Sequence, residues 1–536
     1  MIEFYHGETI TMSKANTNKP SGSAADQSNN DHSDLSQDNT VQSPDEISPE
    51  EAHLAKSLEA HGFEDDDWIG RIGNDPNKIP LSVKAVCFHQ RDAKGHPTGV
   101  NDSRIYAYLI HTQHVFVCGG IPYIYKNGYY HMDLRGTIIK TYIRDCILEQ
   151  FVKSSTIDRV FKLFLQDYEI EKLPEDLNQH SGHYINFENG MYDAKRKIVF
   201  PHTPKILSVN QVPMSYDPNG DHGSGNEILK FLKYAIPNED DREMLLEYIG
   251  LCCSVDTSQQ KMLVICGEGG TGKSTIINLI QKLVGKRNIS NVAMSKLQDN
   301  FQAIRMMGKL LNSCADLEID ALDDVTMIKK LIGEDSISDS YKGKDIISFD
   351  NYAKLLFSTN ELPLVRNEKT DGFYRRLLVL TMNEVPAHRD PDLPRRLEAE
   401  LPYLLHLAME ALNRMYARGY ILVSENSTEK TKQLRNDSDT VEAFLDECCT
   451  VDYRPENRVD RKDLYDRYDA WCEEWGRQGH LKSGFFKALR NKRLKEVKSN
   501  GNWYFCGIRF GKDNTKLRDE GGFVEYPVDV EDPFSI

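Results

Sequence analysis

The stretch Gly267-Glu268-Gly269-Gly270-Thr271-Gly272-Lys273-Ser274-Thr275 constrains this chain more than any other. It matches G-x-x-x-x-G-K-[ST] at every fixed position. The apolar run Lys261-Met262-Leu263-Val264-Ile265-Cys266 precedes it, and Ile276-Ile277-Asn278-Leu279-Ile280 follows with helical spacing. A buried strand, a glycine turn and a helix are the parts of a nucleotidase phosphate loop. Glycines let backbone N–H groups turn inward onto phosphate oxygens, and the helix N-terminus adds partial positive charge. In that frame Gly267, Glu268, Gly269, Gly270, Thr271, Gly272, Lys273, Ser274 and Thr275 cradle ATP. Lys273 reaches its β- and γ-phosphates, and Ser274 holds Mg²⁺.

With 536 residues the chain has room for about three or four domains of roughly 100–200 residues. Its formal charge of −16 is concentrated at one end: residues 1–67 hold 15 Asp and Glu against 3 Lys, a net of −12. The remainder is near neutral and has scope for local basic surfaces. The 11 cysteines include no C-x-x-C pair and no Cys/His cluster at zinc spacing, which reads as reduced thiols in a cytoplasmic protein. No apolar run approaches a membrane span and no basic-then-apolar leader opens the chain, so no membrane or secretory association is expected.

Residues 1–75 read as a disordered acidic tail, within which Met12 is an alternative start. Residues 76–225 read as an α+β domain. Strand-like alternation is expected at 104–110 and 114–118, and a hairpin at 122–131 around Asn127-Gly128. Helical spacing follows over 137–168, then strands at 183–187 and 197–200. The helical segment 226–255 is either an oligomerisation collar or a packing layer. Residues 256–425 form the nucleotidase core.

Three further stations follow the glycine loop. Residues 309–318 predict a second buried strand ending in Asp316 and Glu318, which a period of two puts on one face. One of the two would join Ser274 on Mg²⁺, a role given to Asp316, and the other would polarise the attacking water. A third strand ends at Asn360, which in nucleotidases of the additional-strand type orients that water. A fourth begins after Arg375 and Arg376, either of which could reach a neighbouring subunit's γ-phosphate. Between the second and third, a helix at 327–333 leads to a hairpin with Lys342 and Lys344 flanking Gly343, a candidate DNA contact. A long helical stretch over 393–416 closes the core.

After a polar linker at 426–439, residues 440–512 read as helices followed by strand, Asn500-Gly501 turn and strand, the order of a winged helix. From 482 to 498 there are 7 Lys or Arg against one Glu, with Lys487, Arg490, Lys492 and Arg493 as candidate DNA contacts. Residues 513–536 form an acidic tail.

With these stations in place the chain resembles the phage and plasmid primase-helicase family, whose motor is a superfamily 3 helicase related to the poxvirus replication helicase. The resemblance runs from about 185 to 510. It is carried by Ile185-Asn186-Phe187-Glu188-Asn189-Gly190-Met191-Tyr192-Asp193, the glycine loop, Ile328-Lys329-Lys330-Leu331-Ile332-Gly333, Phe357-Ser358-Thr359-Asn360-Glu361-Leu362-Pro363 and Tyr374-Arg375-Arg376-Leu377. It implies an AAA+-type α/β core, and a hexameric ring on DNA that uses ATP and Mg²⁺ to translocate 3′→5′ in the host cytoplasm. It also implies Asn360 as sensor, Arg375 or Arg376 as a finger acting in trans, and the Lys342 to Lys344 hairpin facing the channel. Many relatives have adjacent acids, whereas Leu317 separates them here, which leaves open which one polarises water. No zinc cysteines or carboxylate triad mark a priming domain in 1–180, so a separate primase and other replication proteins are expected partners. The alternatives are an ATP-switched initiator or loader scaffold without unwinding activity, and a primase-helicase with an unrecognised priming site.

Overall fold

The computed structural model describes residues 48–63, 67–178, 183–315, 321–322, 324–333, 335–343, 345–365, 370–475 and 479–511. Five parallel strands organise its centre: β1 (Met262–Cys266), β2 (Ile289–Ser290), β3 (Leu311–Cys314), β4 (Lys354–Thr359) and β5 (Leu377–Thr381). Their spatial order is β2-β3-β4-β1-β5, so the third predicted apolar station lies between the first and second. Met262, Val264, Leu355, Phe357, Leu377 and Val379 enter one hydrophobic core, while Leu263, Ile265, Leu356, Leu378 and Leu380 enter another. Successive side chains of a strand point to opposite faces, so unbroken apolar runs specify a sheet covered on both sides.

On one face lie helix α1 (Lys273–Val284) and the helices Asn226–Ala235, Glu239–Cys252, Leu393–Ala399 and Leu401–Arg418. The segment considered as a collar is therefore inside this layer. Residues Met244 through Cys252 are all buried, leaving no free face on that turn of helix. Its Glu247 is fully buried. Arg418 donates to both carboxylate oxygens at 2.6 and 2.8 Å, and the Leu422 N–H donates at 2.7 Å. The long helical stretch breaks at Glu400, which accepts from the Ile228 N–H at 2.8 Å, and Pro402 restarts it. At the N-terminal end of β4, the buried Lys354 amine donates to the carbonyls of Ser254 and Tyr352, both at 2.9 Å. Burial lowers it to about 8.

The other face carries the helix Thr326–Ile332 and the hairpin Ser336–Asp339 with Ile347–Asp350. Asp339, paired with Ile347 next to the turn, anchors that end of the hairpin by accepting from the N–H groups of Phe301 at 3.1 Å and Ile304 at 3.0 Å.

Three expectations are corrected. Residues 104–110 are helical, within Asp102–Gln113, and Asn101 caps the helix by accepting from the Arg104 N–H at 3.2 Å. Its buried residues Ile105, Tyr108 and Leu109 follow i, i+3, i+4, a period hidden by their apparent alternation. The tail expectation over 1–75 fails from Pro49 onward. Helices Pro49–His61 and Asp67–Ile72 bury Leu58, Trp68 and Ile69 against Phe88 and Tyr108; residues 1–47 lie outside the described residues. The expected linker at 426–439 is the helix Glu425–Ser438, which runs beside the edge strand β5. There the Ser427 hydroxyl accepts from the Val379 N–H at 2.8 Å, satisfying an edge group that would otherwise seek another strand.

The predicted hairpin forms at Asn127-Gly128, both with positive φ, in a four-stranded sheet of residues 115–132 and 171–172. In the C-terminal region the helices Thr440–Cys448, Arg461–Glu474 and Lys482–Asn491 pack on an antiparallel sheet of Arg458–Asp460, Asn502–Cys506 and Lys495–Ser499. The turn is at Asn500-Gly501, as the sequence predicts. Among the described residues no helix is long and apolar enough to cross a membrane.

Candidate nucleotide site and basic surface

All five strands run in the same sense, so Gly267, Asn360 and Met382 emerge together along one edge of the sheet. The glycine loop joins β1 to α1 there. Gly270 and Gly272 have φ of +92° and +97°, the left-handed region that favours glycine. A Cβ on Gly267 would lie 1.9 Å from the Met382 carbonyl oxygen, so no other residue fits against the end of β5. Thr271 closes the turn by donating its hydroxyl to the Glu268 carbonyl at 2.9 Å.

Lys273 is buried at the start of α1. Its ammonium donates to the carbonyls of Gly267 and, at 2.9 Å, Glu268, and to Asn360 Oδ1 at 3.1 Å. Three neutral acceptors saturate its three donors without a counter-charge. Asn360 is held in turn by its own carbonyl, which accepts from Cys266 Sγ at 3.2 Å. Ser274 is exposed, and its hydroxyl makes no hydrogen bond with a described residue. The loop lysine and the strand-tip asparagine are thus in direct contact, a pairing the sequence reading did not anticipate. Asp316 and Glu318 lie outside the described residues; the strand that should carry them, β3, ends at Cys314 beside β4.

Arg375 and Arg376 sit at the opposite edge. Leu377 pairs with Met262, so Arg376 lies beside Lys261, roughly 20 Å along β1 from Gly267 at 3.3 Å per residue, and Arg375 lies beyond it. The two differ. Arg376 is partly buried and donates to the Gly372 carbonyl at 2.6 Å and to Gln260 Oε1 at 3.3 Å; burial lowers its pKa. The Arg375 side chain is exposed and makes no hydrogen bond or ion pair with a described residue.

A residue with no sequence signal also reaches the loop. The coil after β5 doubles back, and a terminal nitrogen of Arg389 comes within 3.3 Å of where a Cβ of Gly270 would stand. It belongs to no motif, and only the path of the chain brings it there.

Of the proposed DNA contacts, Lys342 is exposed at the hairpin turn and Lys344 lies outside the described residues. In the C-terminal region the four cations separate into two kinds. Arg490 donates to Glu496 Oε2 at 2.7 Å while Arg461 takes Oε1 at 2.9 Å, and Lys492 pairs with Asp439 at 3.2 Å and with Glu442. Burial pushes the Glu496 carboxyl up, yet its bonds to Arg461 and Arg490 hold it below the ordinary range. Lys487 and Arg493 are exposed and unpaired among the described residues. Beside them on the hairpin, Lys498 lies 5.8 Å from the ring of Trp503.

Residues 113–237 match the family described as D5 N terminal like, and residues 265–376 match a family of unknown function, DUF5906. The chain is 28% identical over 218 residues to the "Putative helicase L207/L206" of Acanthamoeba polyphaga mimivirus. It is 27% identical over 218 residues to the "Putative helicase 184R" of Invertebrate iridescent virus 6. Each match covers 37% of this chain and spans only 22% of the relative's length. Two apo structures of the NrS-1 C-terminal region align at TM-scores of 0.41 and 0.42 with 14% identity, covering 76% of this chain and 99% and 98% of theirs. The D5-like match and the helicase-named viral relatives make the chain similar to the phage and viral primase-helicase family.

Proposed function

We propose that this chain is an ATP-driven DNA helicase of a virus or other mobile element, with a P-loop AAA+ core of the superfamily 3 kind and a C-terminal winged helix. The observation that carries the reading is the 3.1 Å bond between Lys273 and Asn360 at the common edge of the sheet. It joins a phosphate-binding cation to a water-orienting amide. ATP would fit the loop because the carbonyls that hold Lys273 are neutral and exchangeable for phosphate oxygens. Ser274 and Asp316 would hold Mg²⁺, which supplies charge neutralisation at the phosphates. Asn360 orients the water, and Asp316 and Glu318 supply the acid that polarises it.

Arg375 is the better finger: it is exposed, whereas Arg376 is spent on Gly372 and Gln260. Its distance from its own loop makes it useful only to a second subunit, which favours a ring, a hexamer by the family resemblance, moving 3′→5′ on DNA. Lys342, Lys344, Lys487 and Arg493 would meet DNA phosphates. The test is forked-duplex unwinding by the purified chain against a Lys273→Ala variant. Strand separation lost with Lys273 supports a motor. DNA-stimulated hydrolysis without separation would replace it with the ATP-switched scaffold. Mixing Arg375→Ala with Lys273→Ala subunits should partly restore hydrolysis, because each can complete the other's site.

A further inference from the structure

We infer that Arg389 is a phosphate-binding residue that acts within its own subunit, completing the nucleotide site beside Gly270 of the loop. This rests on the nucleotide-binding reading above. Its guanidinium stands 3.3 Å from the vacant Cβ position of Gly270, with Val385 Cγ1 behind it at 3.9 Å. Gly270 thus meets two demands: a φ of +92°, and a bare Cα that lets a cation approach the loop backbone.

The approach is built rather than incidental. The neighbouring Asp390 accepts from Arg396 Nη2 at 2.7 Å, and Arg396 Nε donates to Glu227 Oε2 at 2.8 Å. That chain of ion pairs ties the coil to the helices Leu393–Ala399 and Asn226–Ala235, and Phe231 of the latter touches Gly272, with 3.3 Å between its ring and that residue's Cβ position. The base of the coil is fixed as well, since Met382 donates its N–H to the Cys266 carbonyl at 2.8 Å. Both ends of the coil are pinned while Arg389 itself has no hydrogen bond or ion pair among the described residues. Asp390, the nearest acid in the chain, is already committed to Arg396. A planar guanidinium left uncompensated beside the glycine loop suits the oxygens of a nucleoside di- or triphosphate, which it can grip with two parallel bonds.

The experiment titrates the full chain with fluorescent ATP and ADP derivatives and records thermal midpoints without nucleotide. Arg389→Ala should weaken both nucleotides about tenfold, Arg389→Lys should recover part of the loss, and the nucleotide-free midpoint should stay at the wild-type value. Unchanged affinity in Arg389→Ala, where Lys273→Ala does lose nucleotide, overturns the assignment and leaves the site intact. An affinity loss matched by a fall in the nucleotide-free midpoint overturns it in favour of a structural role. Failure of the wild-type chain to bind either nucleotide overturns the underlying reading and the inference with it.

Discussion

Lys273 and Lys492 are both lysines drawn into hydrogen bonds by their own chain, yet they are left in opposite states. The acceptors of Lys273 are two carbonyls and an amide, so its full charge remains for an incoming anion. Those of Lys492 are the carboxylates of Asp439 and Glu442, which cancel it. The contrast extends to Arg490, neutralised by Glu496. A basic stretch in a sequence is therefore not yet a basic surface: what matters is whether the partners of each cation are charged.

The comparison can be broken most directly at Lys273. Its replacement by Ala should lower ATP hydrolysis by about 10²–10³-fold, measured as phosphate release, because a preorganised charge at the reacting phosphate is lost. Loss of the same size from Lys492→Ala would erase the distinction. Asn360→Ala should cost roughly 10- to 100-fold in kcat with little change in nucleotide affinity, since it removes an orienting contact and leaves Lys273 two of its three acceptors.

On the basic surface, Lys487→Ala should weaken DNA binding a few-fold and reduce the salt slope by about 1. Arg490→Ala should do less. Glu496→Gln should strengthen binding at low salt by releasing Arg461 and Arg490. The Glu496 carboxyl is held below its ordinary range, so its contribution to stability is present above the unfolded pKa near 4.3 and is lost as pH falls through the lower folded value. Glu496→Gln should flatten that acid limb in a thermal-midpoint series.

One further lysine sets the limit of the comparison. Lys354, like Lys273, has carbonyl acceptors, but burial lowers its amine to about 8. Between that value and the ordinary ~10.4, the unfolded chain holds a proton that the folded chain lacks, so stability should rise with pH by about 3 kcal/mol across that window. Lys354→Met should remove the slope. Neutral acceptors keep a lysine charged only where water or phosphate can reach it.

Four of the five strands were legible because largely apolar runs bounded by Gly267, Asn360 and Arg376 mark strand ends without reference to tertiary contacts; the two-residue strand β2 was not. The sequence put Asn360 at a strand tip near the phosphate loop, but its bond to Lys273 follows from the strand order β3-β4-β1, which no single-strand pattern reports. The helix Glu425–Ser438 was not legible. Its sequence is polar almost throughout, and its role depends on single serines meeting an edge strand, which no periodicity reports. The 104–110 segment misled because Tyr106 and Tyr108 imitate strand alternation while the buried set follows a helix. Arg389 was invisible for a third reason: its position depends on how a coil returns, and an isolated arginine in a coil carries no pattern.

The helix beside β5 also changes how force can pass through the molecule. A 14-residue coil would let the C-terminal region wander, but 14 helical residues form a rod of about 21 Å that runs directly into Thr440. It is a drive shaft rather than a tether. Deleting one residue from it would shorten it by only ~1.5 Å, but would turn everything beyond it by about 100°.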